Sequence, residues 1–346
     1  MVSIKRFSTF VNEAVGLAKP TLIYSEFILK EFEKHFNLYI DSGEVSKEYS
    51  IVYDLIDTDI IKDNLWYKFP IRNIDINFDF ESISDSEFEE KFGTSIELCK
   101  FTTYGLSYQL SKTKGDYLSY LLPAIDDRVE NTIHLKIDIK ALLSESFDNL
   151  EGLLLEVEST LIHELHHVYE NYMRMITNKG FLSVNITNST DVNRSKIKGE
   201  IFNKWKDEIG MYVYWAEKHE IGAMVQDSWP YVKKYEIEEM MEKCPSWFNS
   251  ERMKEFNWKV FKSEMVDLIK STYPDADPEL MISRLKNGLA NQIGSESRFD
   301  YEDIPYLKPD KIKRMTNDKF LEFVQELANN TGKKLQRKIL KLYSLK

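Results

Sequence analysis

The sharpest alternation of apolar and polar positions runs from Thr132 to Lys140. Ile133, Leu135, Ile137 and Ile139 fall on one side, and His134, Lys136, Asp138 and Lys140 on the other. That is the period of a strand with one covered face. Ile74, Ile76, Phe78 and Phe80 alternate with polar partners in the same way, and residues 95–102 and 104–110 are further strand candidates. Gly115-Asp116 and Asp126-Asp127 punctuate this region as turns. Elsewhere the period is helical. Phe7, Phe10, Val11, Ala14 and Val15 recur at helical spacing until Pro20 interrupts, and a second helix over about 22–38 carries Leu22, Phe27, Phe32 and Phe36. Over 147–176, Leu150, Leu153, Leu154, Val157, Leu161, Ile162 and Leu165 make an apolar face wide enough for a helix running through a core. Residues 177–200 are rich in Asn, Ser, Thr and Gly and read as a surface loop. Helical patterning resumes over 201–227 and ends at Pro230. It continues over 234–244, 250–272, 278–292 and 317–343, with Pro245, Pro274, Pro278, Pro305 and Pro309 marking the breaks. The pattern divides the chain into an N-terminal helical segment (1–48), a β-rich lobe (49–146), a central helical pair (147–230) and a helical C-terminal lobe (231–346).

Composition narrows the class. The 346 residues, 42% hydrophobic and 13% aromatic, are enough to bury a substantial core. A net charge of −11 argues against nucleic-acid binding by the surface as a whole. The two cysteines, Cys99 and Cys244, are far apart and in no metal-ligand spacing, so free thiols in a reducing compartment are expected. The N-terminus has no apolar run behind its basic residues, and no stretch approaches membrane-spanning length. These features point to a cytoplasmic location without a signal peptide. The last sixteen residues carry Lys333, Lys334, Arg337, Lys338, Lys341 and Lys346 and no acid, with Leu335, Ile339 and Leu342 on one face. An ordinary terminal helix with a solvated face accounts for them better than a membrane, nucleic-acid or acidic-partner surface.

Candidate chemistry lies in Thr160-Leu161-Ile162-His163-Glu164-Leu165-His166-His167-Val168. His163 and His167 are four apart, so a helix puts both imidazoles on one face, one turn apart. Two neutral imidazoles so placed can share one tetrahedral zinc and leave positions open. Glu164 projects near the metal but to one side, where a general base belongs. His166 points about a quarter-turn from His167, so it reads as a packed or solvated histidine and not a ligand.

The segment resembles the active-site helix of the zincin metallopeptidases. Glu170 and Met173 stand where the metzincin pattern needs Gly and His, and no histidine follows His219. The remaining likeness is to the gluzincins, whose third ligand is a Glu on a later helix. Glu220-Ile-Gly-Ala223 resembles their Glu-x-x-Ala element, although Met224 replaces the Asp of thermolysin-type enzymes. The resemblance implies an α+β, zincin-like fold: a twisted, mainly antiparallel sheet packed on the His-Glu-x-x-His helix, then a mostly helical C-terminal lobe. One edge strand of such a sheet pairs with an extended substrate. Thr132–Lys140 is either that strand or an interior one. It implies Zn2+ held by His163, His167 and Glu220, Glu164 as general base, and a protein or peptide substrate. Glu217, three residues before Glu220, competes as ligand on a bulkier stripe, while Ala216 and Ala223 flank Glu220. Tyr212, Tyr214, Tyr231 and Tyr235 are candidates for stabilising the oxyanion. Glu170, Glu217 and Asp227 are candidates for orienting a ligand imidazole. The alternative is a zincin-fold structural or assembly protein that retains the zinc site. The Phe-rich first fifteen residues resemble the N-termini of proteins from large tailed phages, which would make the partner a virion component.

Overall fold

The computed structural model describes residues 17–54, 71–92, 99–112, 131–176, 199–295 and 308–346. The first expected helix, the turns at Gly115 and Asp126 and the 177–200 loop fall almost wholly outside these residues. The fold is mixed α and β, with two compact units, residues 1–179 and 180–346. Among the described residues, no helix is long and apolar enough to cross a membrane.

The first unit opens with α1, Lys19–Ser42. Pro20 sits in its first turn, so it starts this helix rather than interrupting one. Gly43 ends it at φ 65°, and its N–H bonds back to Ile40 O at 3.3 Å. Four strands follow: β1 (Ser46–Asp54), β2 (Ile71–Ile83), β3 (Cys99–Lys112) and β4 (Asn131–Ser144), with the short helix α2 (Asp85–Phe92) between β2 and β3. The sheet order is β1-β2-β4-β3. The two outer pairings are antiparallel and the central β2–β4 pairing is parallel.

One open alternative closes and two expectations change. β4 is paired on both sides, so of the two readings Thr132–Lys140 is the interior strand. The two strands expected over 95–110 are one strand, whose register shifts between Thr103 and Leu106. That bulge places Tyr104 and Gly105 against a single residue of β4 and carries the pairing across the gap. The strand β1 had not been expected. Its Tyr49, Ile51 and Tyr53 are only half-buried, which is the weak pattern of an edge.

One face of the sheet is apolar. Ile74, Ile76, Phe78 and Phe80 of β2 and Leu135, Ile137, Ile139, Ala141 and Leu143 of β4 are buried. α1 covers it with Phe32 and Phe36, whose rings meet Phe78 and Phe80 at 5.5–5.7 Å between centroids. Each such buried aromatic stabilises the unit by roughly 1.5–3 kcal/mol. The opposite face is polar. Asn77 donates to Asp138 at 2.6 Å, and Lys140 pairs with Asp79 and Glu81 at 3.1 and 3.0 Å.

α3, Leu150–Ile176, closes the unit. Asn149 caps it by accepting from the Gly152 N–H at 3.0 Å, which is why it starts at 150 rather than 147. Leu153, Val157, Leu161, Leu165, Val168 and Tyr172 form its buried stripe. With it α3 packs against α1 and β3.

The second unit is helical. The stretch expected as one helix over 201–227 is broken into α4 (Glu200–Trp205), a π-helical turn (Lys206–Gly210), α5 (Met211–Trp215) and α6 (Lys218–Asp227). Next come α7 (Trp229–Lys234), α8 (Ile237–Lys243), α9 (Pro245–Glu255), α10 (Trp258–Thr272), α11 (Pro278–Ser295), α12 (Pro309–Arg314) and α13 (Asn317–Leu342). Pro230, Pro245, Pro278 and Pro309 each occupy a first turn, so these prolines begin helices. The expected 250–272 helix divides because Asn257 adopts an extended backbone and caps α10, accepting from the Lys259 and Val260 amides. α13 runs through the core, burying Phe320, Leu321, Val324, Ala328, Leu335, Ile339 and Leu342. Its lysines lie on the other face, as an ordinary terminal helix requires.

α13 and α9 approach closely at Gly332. A Cβ there would stand 2.5 Å from Ser250 O, 3.0 Å from Lys254 Cγ and 3.3 Å from Met253 Cβ. Mid-helix glycine costs about 1 kcal/mol relative to alanine, so Gly332→Ala would stabilise an unpacked helix. Here the clash is with backbone. We expect a net loss of up to about 2 kcal/mol, read as a lower urea midpoint, from overpacking of about 1–3 kcal/mol less that gain. A higher midpoint would show that the two helices separate at little cost.

Candidate metal centre

His163 and His167 stand one turn apart near the middle of α3, both half-buried. Their Nε2 atoms are 3.2 Å apart, and the ring planes meet at 81°. Two nitrogens bound to one tetrahedral zinc at ~2.0–2.1 Å would be separated by about 3.3 Å. The same separation suits an Nε2–H···Nε2 hydrogen bond between complementary tautomers.

One ligand atom each from His163, His167 and Glu220 lie within 4.8 Å of one another. This group can hold a metal ion. Its donor set, two imidazole nitrogens and a carboxylate oxygen, fits a catalytic site with three protein ligands and an open position. Glu164 is half-buried beside His163, and no hydrogen bond or ion pair among the described residues engages it. His166 is buried, with its Nε2 3.6 Å from Glu170 Oε1. Glu170 therefore faces His166 and not a ligand ring at that contact.

Glu217 and Glu220 do not share a helix face. Glu217 is the residue before α6, extended at φ −65°, ψ 142°, and its side chain makes no cap hydrogen bond to the helix. Glu220 lies in the first turn of α6, where the helix dipole favours a carboxylate. Ala216 belongs to the end of α5, so only Ala223 supplies a small neighbour on the helix of Glu220. Both acids are buried, at 4% and 2% exposure. Buried carboxylates require partners, and His219 provides one to each. Its Nε2 is 3.2 Å from Glu217 Oε2 and 3.2 Å from Glu220 Oε1. Sequence reasoning used His219 only as the last histidine. The signal that would have found it is the spacing Glu-x-His-Glu at a helix start.

The other candidates separate by packing. Tyr212 is buried with its ring against Trp215 and Phe256, and burial raises its hydroxyl pKa. The ring of Tyr235 lies under Lys243 at 4.5 Å, and its carbonyl accepts from Tyr343. Tyr231 is buried and Tyr214 half-buried. Asp227 accepts from Ser246 at 2.8 Å and ties the end of α6 to the start of α9. Cys244 is buried beside it, and desolvation pushes its thiol up to about 11. Such a thiol is not a nucleophile at neutral pH.

No family model matches this chain, and neither a search of curated proteins nor one of solved structures finds a significant match.

Proposed function

We propose that this chain is a zinc-dependent metallopeptidase of the gluzincin type. The observation that carries the reading is the 3.2 Å approach of the His163 and His167 Nε2 atoms on a helix that also presents Glu164, with a Glu220 oxygen in the same group. A structural zinc site has no need of an acid at Glu164. A bound zinc ion supplies Lewis acidity. His163, His167 and Glu220 would hold it. Glu164 takes the proton of the attacking water and passes it to the leaving nitrogen. Among the described residues β3 is an edge strand and packs against α3, so an extended peptide can add to it through backbone hydrogen bonds.

Protein purified without chelator should carry about one equivalent of zinc. It should cleave members of a mixed peptide library, and a chelator should stop the cleavage. One equivalent of zinc with no cleavage of any member would favour the zincin-fold structural or assembly role instead. No zinc would remove both readings.

A further inference from the structure

We propose that His219 is a positioning residue that fixes the Glu220 carboxylate for metal binding, a role that rests on the metal-centre reading above. The argument begins with Glu217. An acid just before a helix ordinarily turns its carboxylate onto the free amides of the first turn. Glu217 makes no such cap bond. Its carboxylate instead meets the imidazole two residues on, at 3.2 Å. The same imidazole nitrogen meets Glu220 at 3.2 Å. All three side chains are buried, at 4%, 8% and 2% exposure. A single N–H thus lies between two carboxylate oxygens in a site shielded from water.

That arrangement does two things. It places a donor 3.2 Å from Oε1 of Glu220. It also removes rotational freedom. A Glu side chain turns about three bonds, and fixing it before the metal arrives lowers the ordering cost of binding. Without the imidazole, both buried carboxylates lose the donor at 3.2 Å. The ligand carboxylate would then be less firmly held. Glu217 acts one step further out, by holding the ring that holds the ligand. This is the relation by which outer groups orient the inner ligands of metal sites.

The test compares His219→Ala and His219→Gln with the unaltered chain. Gln places an amide N–H2 near the position of Nε2 and can donate to both acids. Zinc affinity is measured by competition with a chromogenic chelator. The visible spectrum of the cobalt-substituted protein and the melting temperature of the metal-free protein are recorded alongside. His219→Ala should bind zinc about 10–100-fold more weakly and shift the cobalt spectrum, and His219→Gln should restore most of both. Wild-type affinity in His219→Ala would overturn the proposal. So would a loss that His219→Gln leaves unrepaired while its metal-free melting temperature equals that of the unaltered chain. If His219→Ala does not fold, His219→Gln decides alone: near-wild-type affinity and spectrum support the role, and a 10–100-fold loss overturns it. Failure of the underlying reading looks different. There the unaltered chain itself binds no zinc, or binds it undiminished after His163→Ala.

Discussion

Glu164→Gln should retain zinc and fold while peptide hydrolysis falls by about 10²–10⁴-fold, the usual contribution of a positioned acid–base group. The substitution keeps the shape of the side chain and removes only its ability to accept and return a proton. Glu and Gln have nearly equal helix propensity. Glu164 is half-buried and outside the apolar stripe of α3, so packing should not register the change. The expected loss is about 3–5.5 kcal/mol of transition-state stabilisation. It should appear in kcat, with zinc content and melting temperature unaltered. Cleavage at the wild-type rate would take Glu164 out of the mechanism. Loss of zinc in the same variant would make it a ligand instead.

The second large effect is on the metal. Zinc sites with a full set of protein ligands contribute roughly 10–16 kcal/mol, so one of four ligands is worth about 2.5–4 kcal/mol. His163→Ala or His167→Ala should therefore weaken zinc by about 10²–10³-fold, since each kcal/mol-scale ligand lost multiplies the dissociation constant. Glu220→Ala should follow them. Glu217→Ala should cost no more than the 10–100-fold of an outer contact. His166→Ala is the control. It removes a buried ring from the same helix without removing a donor of the group, and zinc content should not change. A full equivalent of zinc in His163→Ala would put the metal elsewhere. Glu217→Ala weakening zinc more than Glu220→Ala would exchange their roles.

Some of this was open to inspection along the chain, because local periodicity states which face of an element is buried. Ile133, Leu135, Ile137 and Ile139 read as one strand face, and three of these, Leu135, Ile137 and Ile139, are buried in β4. The apolar run from Leu150 to Leu165 reads as a core helix, and α3 is one. Periodicity is silent where an element buries little. β1, half-exposed at the sheet edge, and α2, with Phe88 as its buried anchor, carry patterns too weak to read. It also does not see helix breaks made by backbone geometry. Nothing in the composition of 201–227 announces the π-helical turn or the extended Glu217.

The sequence by itself determined the pairing of His163 with His167, because four residues on any helix bring two side chains onto one face. It determined the apolar face of β4 for the analogous reason, the two-residue period of a strand. Only the tertiary structure decided the rest. That β4 is interior follows from which strands pair with it, β2 in parallel and β3 in antiparallel, and pairing is not written in the pattern of either strand alone. That Glu217 and Glu220 do not share a helix face follows from a change of backbone direction between Ala216 and Lys218. Before that bend is known, two acids three apart look equivalent. After it, one lies in the first turn of a helix and the other outside it, and one ring nitrogen stands 3.2 Å from each. Short-range spacing is set by local geometry, which sequence reports. The meeting of distant side chains depends on where the chain turns and what packs behind it, which sequence reports only through the folded molecule.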